Sequence, residues 1–278
     1  MFASNLGFRS SSSDVGPFGN NAFWNSVFNL NRSLVISQNT QTQTDWDNLI
    51  DITNPNGFTI EYWMYTTSFA PGNPNISNHT INPGPGAQNG LIGNNYWSFA
   101  PIIGGKLQFF VATTLAVPDQ RIETATNVIA LNQWYNISCV CTTTSGTTTI
   151  TLYIDGVRQQ IGLYGSGSLA NSYSFTTTTI RTPVNMFSMG EYGNRVILPD
   201  NSLRGYTDEL RVSNINRYSG ASYTVATAPF VSDANTQLLI DMNGFNGSTT
   251  FIDKSSVGWT VNNPSNLVVI SNSRADHT

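Results

Sequence analysis

The stretch that decides the fold reads Leu203-Arg-Gly-Tyr-Thr-Asp-Glu-Leu-Arg-Val-Ser-Asn-Ile-Asn-Arg-Tyr218 and continues, through a Ser/Gly/Ala linker, to Ala228-Pro-Phe230. Its aromatic and β-branched residues predict a strand from residue 206 to residue 213. An Arg-Tyr loop and a turn that ends at a proline follow this strand. Asp208 stands two positions before Leu210, so both side chains should share a face and the carboxylate should point inward.

The composition of the whole chain agrees with a strand-rich fold. Charged residues make up 10% of the 278 residues, against about 25% in an average globular domain. Asn, Ser and Thr are abundant and long helix-forming side chains are scarce, so we expect very little helix. Short apolar runs separated by Gly-, Pro- and Asn-rich turns predict roughly a dozen strands in a sandwich.

Three local patterns add detail to this prediction. The run from Phe58 to Tyr65 alternates, with aromatic side chains on both faces, so we expect a central strand covered on both sides. Asp155-Gly156 predicts a two-residue type I′ turn, because both central residues of that turn need a positive φ. Residues 70–95 are rich in Pro, Gly and Asn, and we expect a long loop that is functional or forms an interface.

Four segments, in this order, carry a family likeness: Phe58-Thr-Ile-Glu-Tyr-Trp63, Trp134-Tyr-Asn-Ile137, Leu152-Tyr-Ile-Asp-Gly-Val157 and Gly205-Tyr-Thr-Asp-Glu-Leu-Arg-Val212. Together they resemble the laminin-G-like, or concanavalin A-like lectin/glucanase, jelly-roll family of the type found in phage structural proteins. The resemblance covers about residues 23–260 and implies an all-β, two-sheet antiparallel jelly-roll sandwich. We expect an extended N-terminal arm at residues 1–22, a single jelly-roll domain at residues 23–270 and a polar C-terminal tail at residues 271–278.

Aromatic residues in loops are the one hint of a carbohydrate site, because an aromatic ring packs against the apolar face of a pyranose. The candidates are Trp46, Tyr96, Trp97 and Tyr192, and Tyr164 and Tyr173 are of the same kind. Alternatively, these residues fill the ends of the sandwich core or make subunit contacts. Tyr96-Trp97, next to the 70–95 loop, is the best placed pair.

Asp208 is a candidate calcium ligand, since carboxylate oxygens suit Ca²⁺ and some relatives bind calcium. The interpretation that we favour is a buried carboxylate that accepts backbone N–H bonds from a loop. Glu209 and Arg211 share the outer face of the same strand and are expected to form an ordinary surface ion pair. Cys139 and Cys141, two apart in a strand-like run, are interpreted as small buried apolar residues. Calcium is the only cofactor that the sequence suggests.

The acidic residues argue against an enzyme. Glycoside hydrolases of this fold carry two or three carboxylates on one strand face, and the two reacting groups of a retaining enzyme lie about 5 to 5.5 Å apart. The four glutamates of this chain are far apart in sequence, and Asp208 and Glu209 are adjacent and should point to opposite faces. His79 and His277 are isolated. We therefore expect no enzymatic activity.

Charge and targeting signals bear on location. The net charge of −4 without a basic run argues against a nucleic-acid partner. No apolar run reaches the ~18 residues needed to span a membrane, and the N-terminus lacks the apolar core of a signal peptide. A polar, weakly charged surface is nevertheless typical of an extracellular protein. A virion protein, made in the host cytoplasm, reconciles these observations.

We therefore expect a non-enzymatic virion structural protein displayed on a bacteriophage particle, as a capsid decoration or a tail or fibre component. Its partners would be other virion proteins and copies of itself, with host surface glycans as a further ligand. Two alternatives stay open. One is a receptor-binding adhesin whose main task is carbohydrate recognition, and the other is a cellular surface lectin exported by an unconventional route.

Overall fold

A computed structural model describes residues 21–24, 34–37, 54–67, 81–83, 96–102, 104–112, 120–176, 187–189, 205–262 and 268–271. Every regular element in these ranges is a β-strand. None of the described residues belongs to a helix long and apolar enough to cross a membrane. The all-β prediction is confirmed.

Nine strands form the first sheet, sheet I. They are β1 (Asn21–Trp24), β3 (Phe58–Thr66), β8 (Trp134–Thr144), β9 (Thr147–Ile154), β10 (Val157–Arg158), β12 (Tyr173–Thr176), β14 (Gly205–Ser213), β15 (Thr236–Ile240) and β17 (Val268–Ser271). The strand order is β10-β9-β8-β3-β14-β1-β17, and β12 and β15 pair additionally with β9 and β14. Neighbouring strands are antiparallel.

Eight strands form the second sheet, sheet II. They are β2 (Leu34–Ser37), β4 (Ile81–Pro83), β5 (Tyr96–Ile102), β6 (Lys106–Ala112), β7 (Gln120–Thr124), β11 (Ile161–Leu163), β13 (Phe187–Met189) and β16 (Thr260–Asn262). The strand order is β11-β7-β6-β5-β4-β13-β2-β16, again with antiparallel neighbours. The two sheets form the predicted jelly-roll sandwich.

One hydrophobic core contains side chains from both sheets. Sheet I buries every second residue of β3, namely Phe58, Ile60, Tyr62 and Met64, and sheet II adds residues such as Leu107, Phe109 and Ile122. The opposite face of β3 is also covered in part, since Thr59 and Glu61 are at most 1% exposed. The prediction of a central strand covered on both sides is confirmed there.

The two smaller local predictions are also confirmed. Asp155 and Gly156 have φ values of 50° and 73° and connect β9 to β10, as a type I′ turn requires. Cys139 and Cys141 on β8 are buried free thiols within the core. Burial raises the pKa of the Cys139 thiol well above its ordinary value.

Several predicted segments lie mostly outside the described residues. Of the N-terminal arm only Asn21 and Ala22 are described, and they begin β1; of the tail only Ser271 is described, and it ends β17. Within the predicted 70–95 loop, residues 81–83 form β4, which pairs with β5 and β13, so part of that stretch is a strand. The domain limits of 23 and 270 stay a prediction.

Candidate functional site

The outer face of sheet I, away from the core, carries a continuous set of aromatic and polar side chains. On β3 it includes Glu61, Trp63 and Tyr65, because residues two apart share a face of a strand. Residues of β8 and β14 that stand opposite them extend this set into rows across the sheet. The rows divide into an aromatic end and a polar end.

Three aromatic residues lie side by side at the aromatic end. Tyr206 on β14 stands opposite Tyr65 on β3, which stands opposite Trp134 on β8, and we call these three residues the aromatic row. The ring centroid of Tyr65 is 5.6 Å from that of Tyr206 and 5.7 Å from that of Trp134, within the range of favourable aromatic pairs. The plane of the Tyr65 ring meets that of Tyr206 at 73° and that of Trp134 at 54°. The ring centroids of Trp134 and Tyr206 are themselves 6.4 Å apart, so the three rings pack against one another as a compact cluster.

The aromatic row is only partly covered. Tyr65 and Tyr206 are half-buried, whereas Trp134 is 8% exposed. The next row places the half-buried Trp63 between Asp208 and Asn136, both of which are buried. This end of the face therefore combines apolar ring surface with phenol hydroxyls, a composition that suits a ligand with apolar and hydroxylated sides.

Glu61 is the centre of the polar end. Its side chain is 1% exposed, and its Oε1 accepts a hydrogen bond of 2.7 Å from Nε of Arg211, the residue opposite it on β14. Oε2 accepts a hydrogen bond from the hydroxyl of Tyr218. Nε of Arg217 lies 3.9 Å from Oε1. A buried carboxylate is tolerated when cations and donors surround it in this way.

Residues 214–235, which we call the covering segment, lie over this polar end. Its first half is fixed by backbone bonds, such as Tyr223 N–H to the Gly156 carbonyl at 2.8 Å. The rings of Tyr218 and Tyr223 stack with centroids 3.6 Å apart. The hydroxyl of Tyr223 donates to Oδ1 of Asn136 at 2.6 Å, so the segment borders the row that contains Trp63.

Asp208 lies on the opposite face from the one predicted. Asp208 stands opposite Trp63 and Arg211 stands opposite Glu61, so Glu209 and Leu210 both face the single residue Tyr62. This extra residue is a β-bulge, and Glu209 occupies it with a φ of 52°. Because a bulge changes the alternation of faces, Asp208 shares a face with Arg211 and not with Leu210. Asp208 is buried, and its Oδ1 accepts the backbone N–H of Glu209 at 3.0 Å.

The predicted surface ion pair between Glu209 and Arg211 is also wrong. Arg211 pairs with Glu61, and Glu209 is fully buried, with Oε2 accepting the backbone N–H of Phe230 at 2.7 Å. Burial raises the pKa of Glu209 from 4.5 to about 7, and the negative charge of Asp241 raises it further. The bond from Phe230 and the charges of Lys254 and Arg211 act in the opposite direction.

Two phenols of the covering segment have raised pKa values. Burial and the neighbouring Glu61 raise the pKa of Tyr218 well above its ordinary value, and burial does the same for Tyr223. Both phenols therefore stay protonated at neutral pH and do not act as bases. Within the described residues, no three His, Cys, Asp or Glu side chains are grouped so that they could hold a metal ion. Calcium at Asp208 stays the less favoured of the two interpretations made from the sequence.

The structure describes only some of the aromatic residues that the sequence singled out, so that prediction stays untested. Tyr96 and Trp97 begin β5 of sheet II rather than ending a loop, and Trp46 and Tyr192 lie outside the described residues. Tyr164 is 40% exposed in a turn after β11, and Tyr173 lies on β12 beside Phe175. The aromatic row was not predicted, although the alternation of Trp63 and Tyr65 gave a signal for one of its strands.

Comparison with solved structures gave distant matches, each at low identity and with a TM-score below 0.5. A protein from Bacteroides ovatus, described as carbohydrate-binding, is 14% identical over 92% of this chain and 60% of its own, with a TM-score of 0.49. The CBM40 module of the Ruminococcus gnavus IT-sialidase bound to α2,6-sialyllactose is 10% identical over 60% of this chain and 82% of its own (TM-score 0.42). Alginate lyase vAL-1 from a Chlorella virus is 12% identical over 72% of this chain and 92% of its own (TM-score 0.36).

Identities this low do not transfer a site or an activity, and the chain spans only 60% of the first of these structures. Comparison with curated proteins gave no match. A family model described as the concanavalin A-like lectin/glucanases superfamily matches residues 37–221, which is more than half of the chain. The phage type within that family stays a prediction. The chain belongs to the concanavalin A-like lectin/glucanase superfamily.

Proposed function

We propose that the protein binds carbohydrate at the aromatic row on the outer face of sheet I. The observation that carries the proposal is the placement of Tyr206, Tyr65 and Trp134 side by side on three adjacent strands, with two of the rings half-buried. Aromatic rings pack against the apolar face of a sugar ring, and membership of a superfamily that includes lectins agrees with such a ligand.

The fixed backbone of three paired strands supports this assignment. Rings carried by a sheet keep their spacing without a ligand, so binding orders few groups and loses little entropy. The phenol hydroxyls of Tyr65 and Tyr206 can donate to and accept from sugar hydroxyls. Asn136 and Asp208 flank Trp63 in the adjacent row, and Asn136 accepts a hydrogen bond from Tyr223 of the covering segment, so polar groups border the aromatic row on that side.

A glycan array followed by isothermal titration calorimetry tests the proposal. Replacing a central aromatic anchor by alanine costs on the order of 1.5–2 kcal/mol, so Tyr65→Ala and Tyr206→Ala should each weaken binding about tenfold or more. Tyr164→Ala is the control, because Tyr164 is exposed and lies outside the row. Unchanged affinity in both row variants, or no glycan signal for the wild-type protein, would contradict the proposal.

Binding is proposed to occur without turnover. The phenols of Tyr218 and Tyr223 stay protonated, as described above, and the three residues of the aromatic row include no carboxylate. Mass spectrometry of a bound oligosaccharide after prolonged incubation should recover it intact. Release of shorter products by the wild-type protein and not by Tyr65→Ala would show an enzyme instead.

The virion role expected from the sequence stays a proposal beside this one. Its basis is the polar, weakly charged composition and the resemblance to phage structural proteins. Quantitative mass spectrometry of purified particles, with the major capsid protein as the reference, tests it. A copy number near one per capsid subunit indicates a decoration protein, a few copies to a few tens indicate a tail or fibre component, and absence from the particles refutes the role.

A further inference from the structure

The far half of the covering segment is hydrogen-bonded at one place, and Val225 packs beside Gly156. Residues 224–232 make a single hydrogen bond in the structure, from the backbone N–H of Phe230 to Glu209. Phe230 is 8% exposed, whereas residues 227–229 and Val231 on either side of it are exposed. Its ring lies over the guanidinium of Arg211, with the Cζ atom 4.1 Å from the ring centroid. Phe230 is therefore the attachment point of this stretch.

Glu209, which receives that bond, occupies an unusual position. β14 pairs with β1 up to Thr207 and with β15 from Leu210, so Glu209 lies where the neighbouring strand changes. It adopts a φ of 52° in the bulge, a conformation that non-glycine residues rarely take. Its carboxyl group is fully buried, and Oε1 has no hydrogen-bond partner among the described residues.

The charges that face Glu209 come from three elements. Arg211 lies on β14 itself, Asp241 follows β15, and Lys254 belongs to the segment that runs antiparallel to β15. Asp208 is the preceding residue of β14. Arg211 is already paired with Glu61, and Lys254 is paired with Asp241, so neither cation is dedicated to Glu209.

We propose that Glu209 is a protonation-controlled latch: the neutral carboxyl group keeps Phe230 seated over Arg211, and ionisation of that group loosens residues 224–232. The physical reason is the cost of a buried carboxylate that receives one hydrogen bond and has one oxygen without any. Movement of Phe230 away from the sheet admits water to the carboxylate and removes this cost. The neutral group also lacks a partner at Oε1 within the described part of the chain, but its burial costs much less free energy than burial of the charge.

The sign of the pH dependence follows from linkage. The pKa of Glu209 is raised from 4.5 to about 7 in the closed conformation, so protonation favours that conformation. The stabilisation of the closed conformation by protonation is complete below pH 4.5, declines as the pH rises, and is lost above about pH 7. The separation between 4.5 and about 7 corresponds to at most about a 300-fold change in the ratio of closed to open forms.

The latch lies beside the proposed carbohydrate site. Asp208 precedes Glu209 and stands opposite Trp63, and Phe230 covers Arg211 one row further on. Loosening of residues 224–232 would therefore uncover Arg211, which lies beyond the Trp63 row as seen from the aromatic row. Any consequence for ligand binding rests on the proposed carbohydrate function, whereas the latch itself does not.

Hydrogen exchange of the full-length chain, without any glycan, tests the latch. Exchange of a peptide that contains the Phe230 amide is measured from pH 5 to pH 8 and corrected for the intrinsic pH dependence of exchange. Protection in the wild-type protein should fall at least tenfold over this range. In Glu209→Gln, whose amide oxygen still accepts the N–H of Phe230, protection should be independent of pH.

Two further variants complete the experiment. Glu123→Gln changes a glutamate of sheet II that is 8% exposed and should keep the wild-type pH dependence. Asp241→Asn removes the negative charge that faces Glu209 and should move the midpoint to lower pH, which tests the latch even if Glu209→Gln does not fold. Constant protection in the wild-type protein, the same slope in Glu209→Gln or an unmoved midpoint in Asp241→Asn would each overturn the latch. Loss of glycan binding alone would affect only the proposed function.

Discussion

Glu61 shows how a single acidic residue organises the polar end of the outer face. The sequence placed it on β3 among aromatic residues, and nothing near it in sequence indicated a partner. In the folded chain Arg211, 150 positions away, and Tyr218, 157 positions away, both bond to its carboxylate. Long-range pairing of this kind depends on strand register, so a local pattern does not predict it.

Removal of this carboxylate should be costly. Glu61→Ala leaves the charge of Arg211 and the hydroxyl of Tyr218 buried without their acceptor, and breaking a buried pair typically costs about 3–5 kcal/mol. Urea unfolding monitored by tryptophan fluorescence measures the change. Asp233→Ala is the comparison, because Asp233 pairs with Arg217 but its side chain is 45% exposed, so we expect a loss of no more than about 1 kcal/mol. Equal losses in the two variants would disprove this ranking.

At the scale of elements, the Asp155-Gly156 turn has a second role beyond joining β9 to β10. A β-carbon added to Gly156 would lie 2.3 Å from the carbonyl oxygen of Tyr223, so the covering segment rests directly on the turn. The sequence predicted the turn because Asp-Gly is a local signal. The contact with residue 223 is not local and was not predicted.

A pair of glycine variants separates these two roles. Gly146→Ala, in the β8–β9 turn at a φ of 76°, meets nothing within 4 Å and should cost about 1 kcal/mol from the positive φ alone. Gly156→Ala, at a φ of 73°, adds the clash with Tyr223 and should cost at least about 2 kcal/mol more, within the range of overpacking. Thermal unfolding of both variants checks this difference. Similar losses of stability in the two variants would show that the covering segment moves away from the added methyl group at little cost in free energy.

The bulge in β14 explains why one strand was predicted correctly while the directions of its acidic side chains were not. The strand itself follows from its β-branched and aromatic residues, and it spans Gly205–Ser213, close to the predicted 206–213. Face assignments assumed unbroken alternation, which the extra residue at Glu209 interrupts. No glycine marks the bulge, so the sequence carried no signal for it.

At the scale of the molecule, the core extends beyond the region that matches the family. That match ends at residue 221, yet the core also includes Leu238, Ile240, Met242, Phe251 and Trp259. The carboxylate of Asp253 ties this C-terminal part together by accepting the N–H groups of Leu239 at 2.9 Å and Trp259 at 2.8 Å. The sandwich is therefore incomplete at the family boundary.

A chain that ends at residue 221 should not fold. Burial of a large apolar side chain contributes about 1.5–3 kcal/mol, so loss of five such residues removes about 8–15 kcal/mol, which is comparable with the roughly 5–15 kcal/mol stability of a typical domain. Near-ultraviolet circular dichroism and thermal melting should show no fixed aromatic environment and no cooperative transition, in contrast to the full-length chain. A cooperative transition in the shortened chain would show that residues 222–278 are an accessory to the fold.

The sequence by itself determined the class of the fold, the central strand at β3, the Asp-Gly turn and the family. These properties rest on alternation, turn chemistry and composition, which act over a few residues and can be read along the chain. The tertiary structure alone decided which side chains meet: the aromatic row, the ion pair of Glu61 and the hydrogen bond from Phe230 to Glu209. These side-chain contacts depend on the register between strands that are distant in sequence. In addition, a single bulge changes the face of the sheet on which a side chain lies.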